Sequence, residues 1–130
     1  MYTYQNFIQQ KDRLTFQEAG EIYEQLVQNA AHDDPDFEEY WHDMIKSANI
    51  YTNTRANWLL LDHEERRDMD LTRIHQHDEF MENLAVIARY LKRHNLNTDW
   101  YERLGNPERD RKRFGDFACY ITYVYSLNAR

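Results

Sequence analysis

The sequence predicts an all-α protein, an antiparallel bundle of four to five helices forming one domain over residues 1–130. Two observations predict it. Apolar residues recur every three or four positions, which places them on one face of a helix. One such seam runs Phe37, Trp41, Met44, Ala48, Tyr51, Arg55, Trp58 and Asp62, and another runs Ile74, His77, Met81, Leu84, Ala88 and Leu91. With 3 Gly and 2 Pro in 130 residues the chain has few breakers, as helices joined by short turns require. A chain of this size can bury a core without metals or disulfides, and such stripes pack helix against helix.

Residues 1–14 are mixed, and Phe7, Ile8 and Leu14 suit a short helix packed on the bundle. Thr15-Phe16-Gln17-Glu18 has the pattern of a capping box, in which Glu18 reaches back to the cap. The helix it opens carries Phe16, Ala19, Tyr23, Leu26 and Ala30 inward and is expected to stop near His32. Asp34 caps the next helix, with Pro35 in its first turn and Asp36, Glu38 and Glu39 at the positive end of its dipole. It extends to about residue 61, with a kink favoured by the polar stretch 49–57. The charged segment 62–70 reads as a connection. A third helix follows over 71–94, ending in Lys92, Arg93 and His94. Residues 95–106 form a connector with one short turn carrying Trp100 and Tyr101. Gly105-Asn106-Pro107 then starts the last helix, which runs to about Asn128 with Phe114, Phe117, Ala118, Ile121, Val124 and Tyr125 inward.

Composition narrows the function classes. A hydrophobic share of 42% and a charged share of 30% suit a soluble globular protein. The net charge of −7 disfavours non-specific binding to nucleic acid or anionic membranes. The lone Cys119 cannot form an internal disulfide, which points to a reducing cytoplasm and a small buried side chain. The first residues, Met1-Tyr2-Thr3-Tyr4-Gln5, lack a basic and then apolar pattern, so no secretory signal is expected. No apolar run is long enough to span a membrane. Ten Tyr and three Trp give an aromatic share of 15%. Such side chains combine apolar area with a polar tip and suit interfaces.

Four clusters offer chemistry. Glu39-Tyr40-Trp41-His42 places a carboxylate and an imidazole three residues apart, a spacing that di-iron bundles use on two helices; no second copy occurs here. His75-Gln76-His77-Asp78-Glu79 contains a His-Asp pair. With His42 upstream and Asp116 downstream, it resembles the ligand set of the HD phosphohydrolases. That resemblance implies metal-dependent phosphoester hydrolysis by His42, His77, Asp78 and Asp116. His75 and Gln76 stand where that family carries apolar residues. Arg55 and His77 are polar intruders in apolar seams. Buried, each needs a partner, and Asp116 or a Tyr hydroxyl would serve Arg55; converging, Arg55, Arg73, His77 and Asp116 form a polar core network, the favoured reading, or a small polar pocket. Arg109, Arg111, Lys112 and Arg113 form a basic cluster, diluted by Glu108 and Asp110, that suits a solvated helix face or a weak nucleic-acid contact.

Arg73-Ile74-His75-Gln76-His77-Asp78-Glu79-Phe80 and Gly115-Asp116-Phe117-Ala118-Cys119-Tyr120-Ile121 resemble small helical proteins of low-GC Gram-positive bacteria and their mobile elements. The likeness covers roughly the C-terminal half. It implies a bacterial cytoplasmic protein and transfers no catalytic residue. The sequence therefore favours a non-catalytic protein-binding or regulatory role, with a protein partner or a second copy in a homodimer and no cofactor or metal. Trp100, Tyr101, Tyr120 and Tyr123 are its interface candidates, Tyr120 and Tyr123 because they lie off the inner stripe of the last helix.

Overall fold

The Thr15 hydroxyl accepts the amide proton of Glu18 at 3.1 Å and starts helix α1, Phe16–Gln28. The structure, a computed structural model, describes residues 13–128. Phe7 and Ile8 lie outside that range, while Leu14 is buried in the core. Glu18 does not complete a capping box: its carboxylate accepts instead from the Arg113 guanidinium. Ala19, Ile22 and Leu26 are the buried face of α1. The helix closes earlier than expected, where the Asn29 side-chain amide bonds Gln25 O at 2.8 Å.

Asp34 caps α2, Pro35–Asn57, by accepting from Asp36 N at 2.9 Å. No break occurs at 49–57. Tyr51 is buried there and Thr52 meets Thr122 at 3.1 Å, so packing on the last helix overrides weak local propensity. The chain then tightens into a 3₁₀ turn, Trp58–Leu60, which leaves Leu59 82% exposed.

The charged segment 62–70 is helical rather than a connection. Asp62 and Glu65 form a reciprocal capping box, at 2.8 and 3.0 Å, that starts α3, His63–Arg93. At 1.5 Å per residue α3 is about 46 Å long. Its first buried residue is His77, so its N-terminal half stands beyond the core. Asn95, at φ 60°, ends it: Asn95 N and Leu96 N bond back to Lys92 O and Leu91 O, closing a Schellman motif.

Short α4, Asp99–Leu104, buries Trp100 and Leu104. The last helix, α5, spans Arg111–Asn128 and begins four residues later than the sequence suggests. Residues 107–110 instead form a turn in which Asp110 accepts from Asn106 N and Asn106 accepts from Glu108 N. Tyr125 is exposed rather than inward.

Among the described residues the regular structure is these five α-helices and the 3₁₀ turn, with no strand. α2 packs most extensively, on α3 and α5, and α1 lies against α4 and α5. Phe37, Phe80, Trp100, Phe114 and Phe117 fill one shared core. Among the described residues no helix is long and apolar enough to cross a membrane.

Candidate functional site

Asp116, on the inner face of α5, is buried and accepts four hydrogen bonds. Arg13 donates Nε at 2.9 Å and Nη2 at 2.6 Å, Leu14 donates its backbone N at 3.0 Å, and Arg55 donates Nη2 at 3.0 Å. Arg55 is thus paired with Asp116, one of the two kinds of partner expected for it. Burial disfavours the Arg55 charge, but the nearby Cys119, Asp116 and Tyr51 outweigh it and raise its pKa above the ordinary value. Burial raises the Tyr51 pKa, so its hydroxyl stays protonated at neutral pH.

His77 and Arg73 stand apart from that pair. His77 Nε2 lies 2.8 Å from Arg111 O, and Nδ1 lies 3.2 Å from Arg111 Nη2. A carbonyl only accepts and a guanidinium only donates, so His77 is the neutral tautomer with its proton on Nε2. Burial lowers its pKa, with the Arg111 and Arg73 charges acting in the same direction. Gly115 lets α5 approach here, since a Cβ at that position would lie 2.7 Å from Tyr51 Oη and 3.3 Å from His77 Nε2. Arg73 bonds Asp70 at 2.9 Å and lies 5.0 Å over the Trp58 ring, with its Nε buried and unpartnered among the described residues. The expected four-residue network is thus two local clusters and one stacked arginine.

The hydrolase set is not assembled. The His42 side chain is 71% exposed and faces Glu38 at 3.7 Å, not Glu39. Asp78 is bound by Arg111, and Asp116 by Arg13 and Arg55. No three His, Cys, Asp or Glu side chains among the described residues are placed to share a metal ion. The basic cluster is also dispersed: Arg109 pairs with Asp110, Arg111 with Asp78, and Arg113 with Glu18.

The interface candidates divide. Trp100 is 0% exposed and belongs to the core, because α4 folds back over α1 and turns the indole inward. Tyr101 is half-buried against Trp100 and Phe114, at 5.6 and 6.0 Å between ring centroids. Tyr120 and Tyr123 instead edge onto Phe16, at 5.2 and 5.6 Å. These three rings border a groove of about 550 Å³ between α1, α2 and α5, which Ala56, Leu59 and Cys119 also line together with Arg55 and Asp116. Phe16 is 58% and Tyr123 48% exposed there. Cys119 is half-buried in the groove lining, 3.7 Å from Arg55 Nη1, rather than sealed in the core.

A second cavity of about 410 Å³ adjoins the groove, and Arg55 and Leu59 wall both. Arg13, Arg73 and Lys112 complete its cationic lining, with Tyr51 and Trp58 as aromatic walls. A small polar pocket at Arg55 and Arg73 is one of the two arrangements expected from the sequence, but its Arg13 and Lys112 walls are not. Arg13 and Lys112 come from opposite ends of the chain, and no local pattern joins them to the α2 seam.

Comparison with known protein families, curated proteins and solved structures found no match to this chain. The functional reading therefore rests on the geometry of the two cavities.

Proposed function

We propose that this is a non-catalytic binding protein whose groove receives an amphipathic segment of a partner protein. One observation carries the proposal: Phe16, Leu59 and Tyr123, all large and exposed, converge on one concave apolar surface. Contiguous exposed apolar surface is costly in water and marks contact sites. The occupant is apolar along the groove and acidic at the end nearest Arg55, where the cationic pocket begins. A bacterial cytoplasmic setting belongs to the same proposal, supported by the lone Cys119 and the sequence likeness. So does an antiparallel bundle, supported by the short link between α2 and α3 and their long mutual contact.

The test uses fluorescent helical peptides with a leucine face and either glutamates or lysines at one end. Anisotropy should show saturable binding of the glutamate peptide, weakened at least about tenfold by Tyr123→Ala, a loss of about 1.4 kcal/mol. Sedimentation of the free protein separates the other occupant: a dimer that dissociates in Tyr123→Ala would give the groove to a second copy. Failure of both peptides, with a monomer unchanged by the substitution, would overturn the proposal.

A further inference from the structure

The protein carries a net charge of −7, yet one cavity gathers Arg13, Arg55, Arg73 and Lys112. No acidic side chain lines that cavity among the described residues. Asp116, just beneath, is a single carboxylate shared by two guanidiniums. Arg73 holds a buried Nε with no hydrogen-bond partner among the described residues, a donor that ordinarily finds an acceptor. Its guanidinium is pinned by the Trp58 face on one side and by Asp70 on the other, so it is oriented before any ligand arrives.

We infer that this cavity is a binding site for a phosphate monoester. Guanidinium forks suit a tetrahedral oxyanion with several acceptor oxygens, and two arginines on facing helices offer donors from different directions. Trp58, Tyr51 and Leu59 supply apolar wall for the group esterified to the phosphate. A volume of about 410 Å³ falls in the size range of small-molecule sites. A bare carboxylate would engage fewer of these donors. Because Arg55 and Leu59 also border the groove, a bound phosphate ester would compete with the acidic end of a groove occupant. That competition rests on the reading of the groove given above; the phosphate site itself does not.

The chemistry has two sources, a free phosphorylated molecule or a phosphoryl group carried on the groove's partner. ¹⁵N-labelled protein alone is titrated with phenyl phosphate, inorganic phosphate and benzoate, following the Trp58 indole and arginine Nε–H signals. A second arm uses the glutamate peptide with phosphoserine in place of its terminal glutamate. Phenyl phosphate should give saturable shifts at Trp58 and Arg73 and bind at least tenfold more tightly than benzoate. Arg73→Gln should weaken it at least tenfold with the helical signal unchanged, and Lys112→Gln gives a second variant should the first unfold. Saturation by the phosphopeptide alone, lost in the same variants, would assign the site to the partner-borne group. Shifts that are linear for every probe, or equal in wild type and both variants, would overturn the inference. Since phenyl phosphate is tested without any groove peptide, failure here leaves the groove proposal standing, and failure of the groove peptides leaves this one standing.

Discussion

Asp116→Asn isolates the contribution of the buried ion pair. The substitution keeps the volume and one acceptor oxygen but turns an amide N–H₂ toward two guanidiniums. Four hydrogen bonds converge on the carboxylate, two from Arg13, one from Arg55 and one from Leu14 N. Removing one partner of a buried pair costs about 3–5 kcal/mol, because the remaining charge stays buried without compensation. Arg13 and Arg55 keep 17% and 34% of their side-chain surface in water, which solvates part of the orphaned charge. The lower end, about 3 kcal/mol, is therefore expected. Against a total stability of about 5–15 kcal/mol this is a large share, and at several degrees per kcal/mol it lowers the melting midpoint by about 10 °C or more. Urea unfolding followed by helical circular dichroism measures it, with an unchanged slope confirming that the denatured state is unaffected. A loss below about 1 kcal/mol, the size of an exposed ion pair, would refute the reasoning.

Four further outcomes are expected. Burial, aided by the Arg111 and Arg73 charges and opposed by the Arg111 carbonyl and the Asp78 charge, holds the folded His77 pKa below the ordinary 6.5, and Tyr51 faces the ring from α2. Between the folded and unfolded pKa values the unfolded chain binds more protons, so the contribution of neutral His77 is complete above about pH 6.5 and is lost as pH falls below it. His77→Gln should flatten that part of the stability profile, and an identical slope in the variant would count against the assignment. Trp100→Ala should cost about 3–5 kcal/mol in urea unfolding while leaving peptide affinity unaltered, as a core residue requires. Gly105→Ala should destabilise by about 1–3 kcal/mol, because Gly105 sits at φ 115° and a Cβ there would lie 2.5 Å from the Asp110 carboxylate. Glu65→Ala should cost about 0.5–2 kcal/mol and speed amide exchange over 62–70 while leaving the core amides protected, since it removes one half of the α3 capping box.

Helical periodicity, the Thr15 and Asp34 caps and the scarcity of Gly and Pro are local signals. They are readable because hydrogen bonding within a helix and burial of one face depend on residues three and four apart. That Arg55 needs a polar partner was legible for a related reason, since it interrupts an apolar seam, but the choice of Asp116 over a Tyr hydroxyl was not. The second arginine on that carboxylate, Arg13, lies 103 residues from Asp116 and carries no pattern that points to it. The start of α3 is hidden in the sequence because the charge density at 62–70 has the character of a solvated connection, although an Asp-x-x-Glu cap opens the helix there. Burial of Trp100 was decided by α4 folding over α1, and exposure of Phe16 by the gap that α2 and α5 leave beside it. Helix identity and the middle of each inward face thus belong to the sequence by itself, whereas the exposure of Phe16 and Tyr125 at the helix ends, the groove and the cationic pocket are decided only where α1, α2, α3 and α5 meet, because a cavity is a property of the space between helices and not of any one of them.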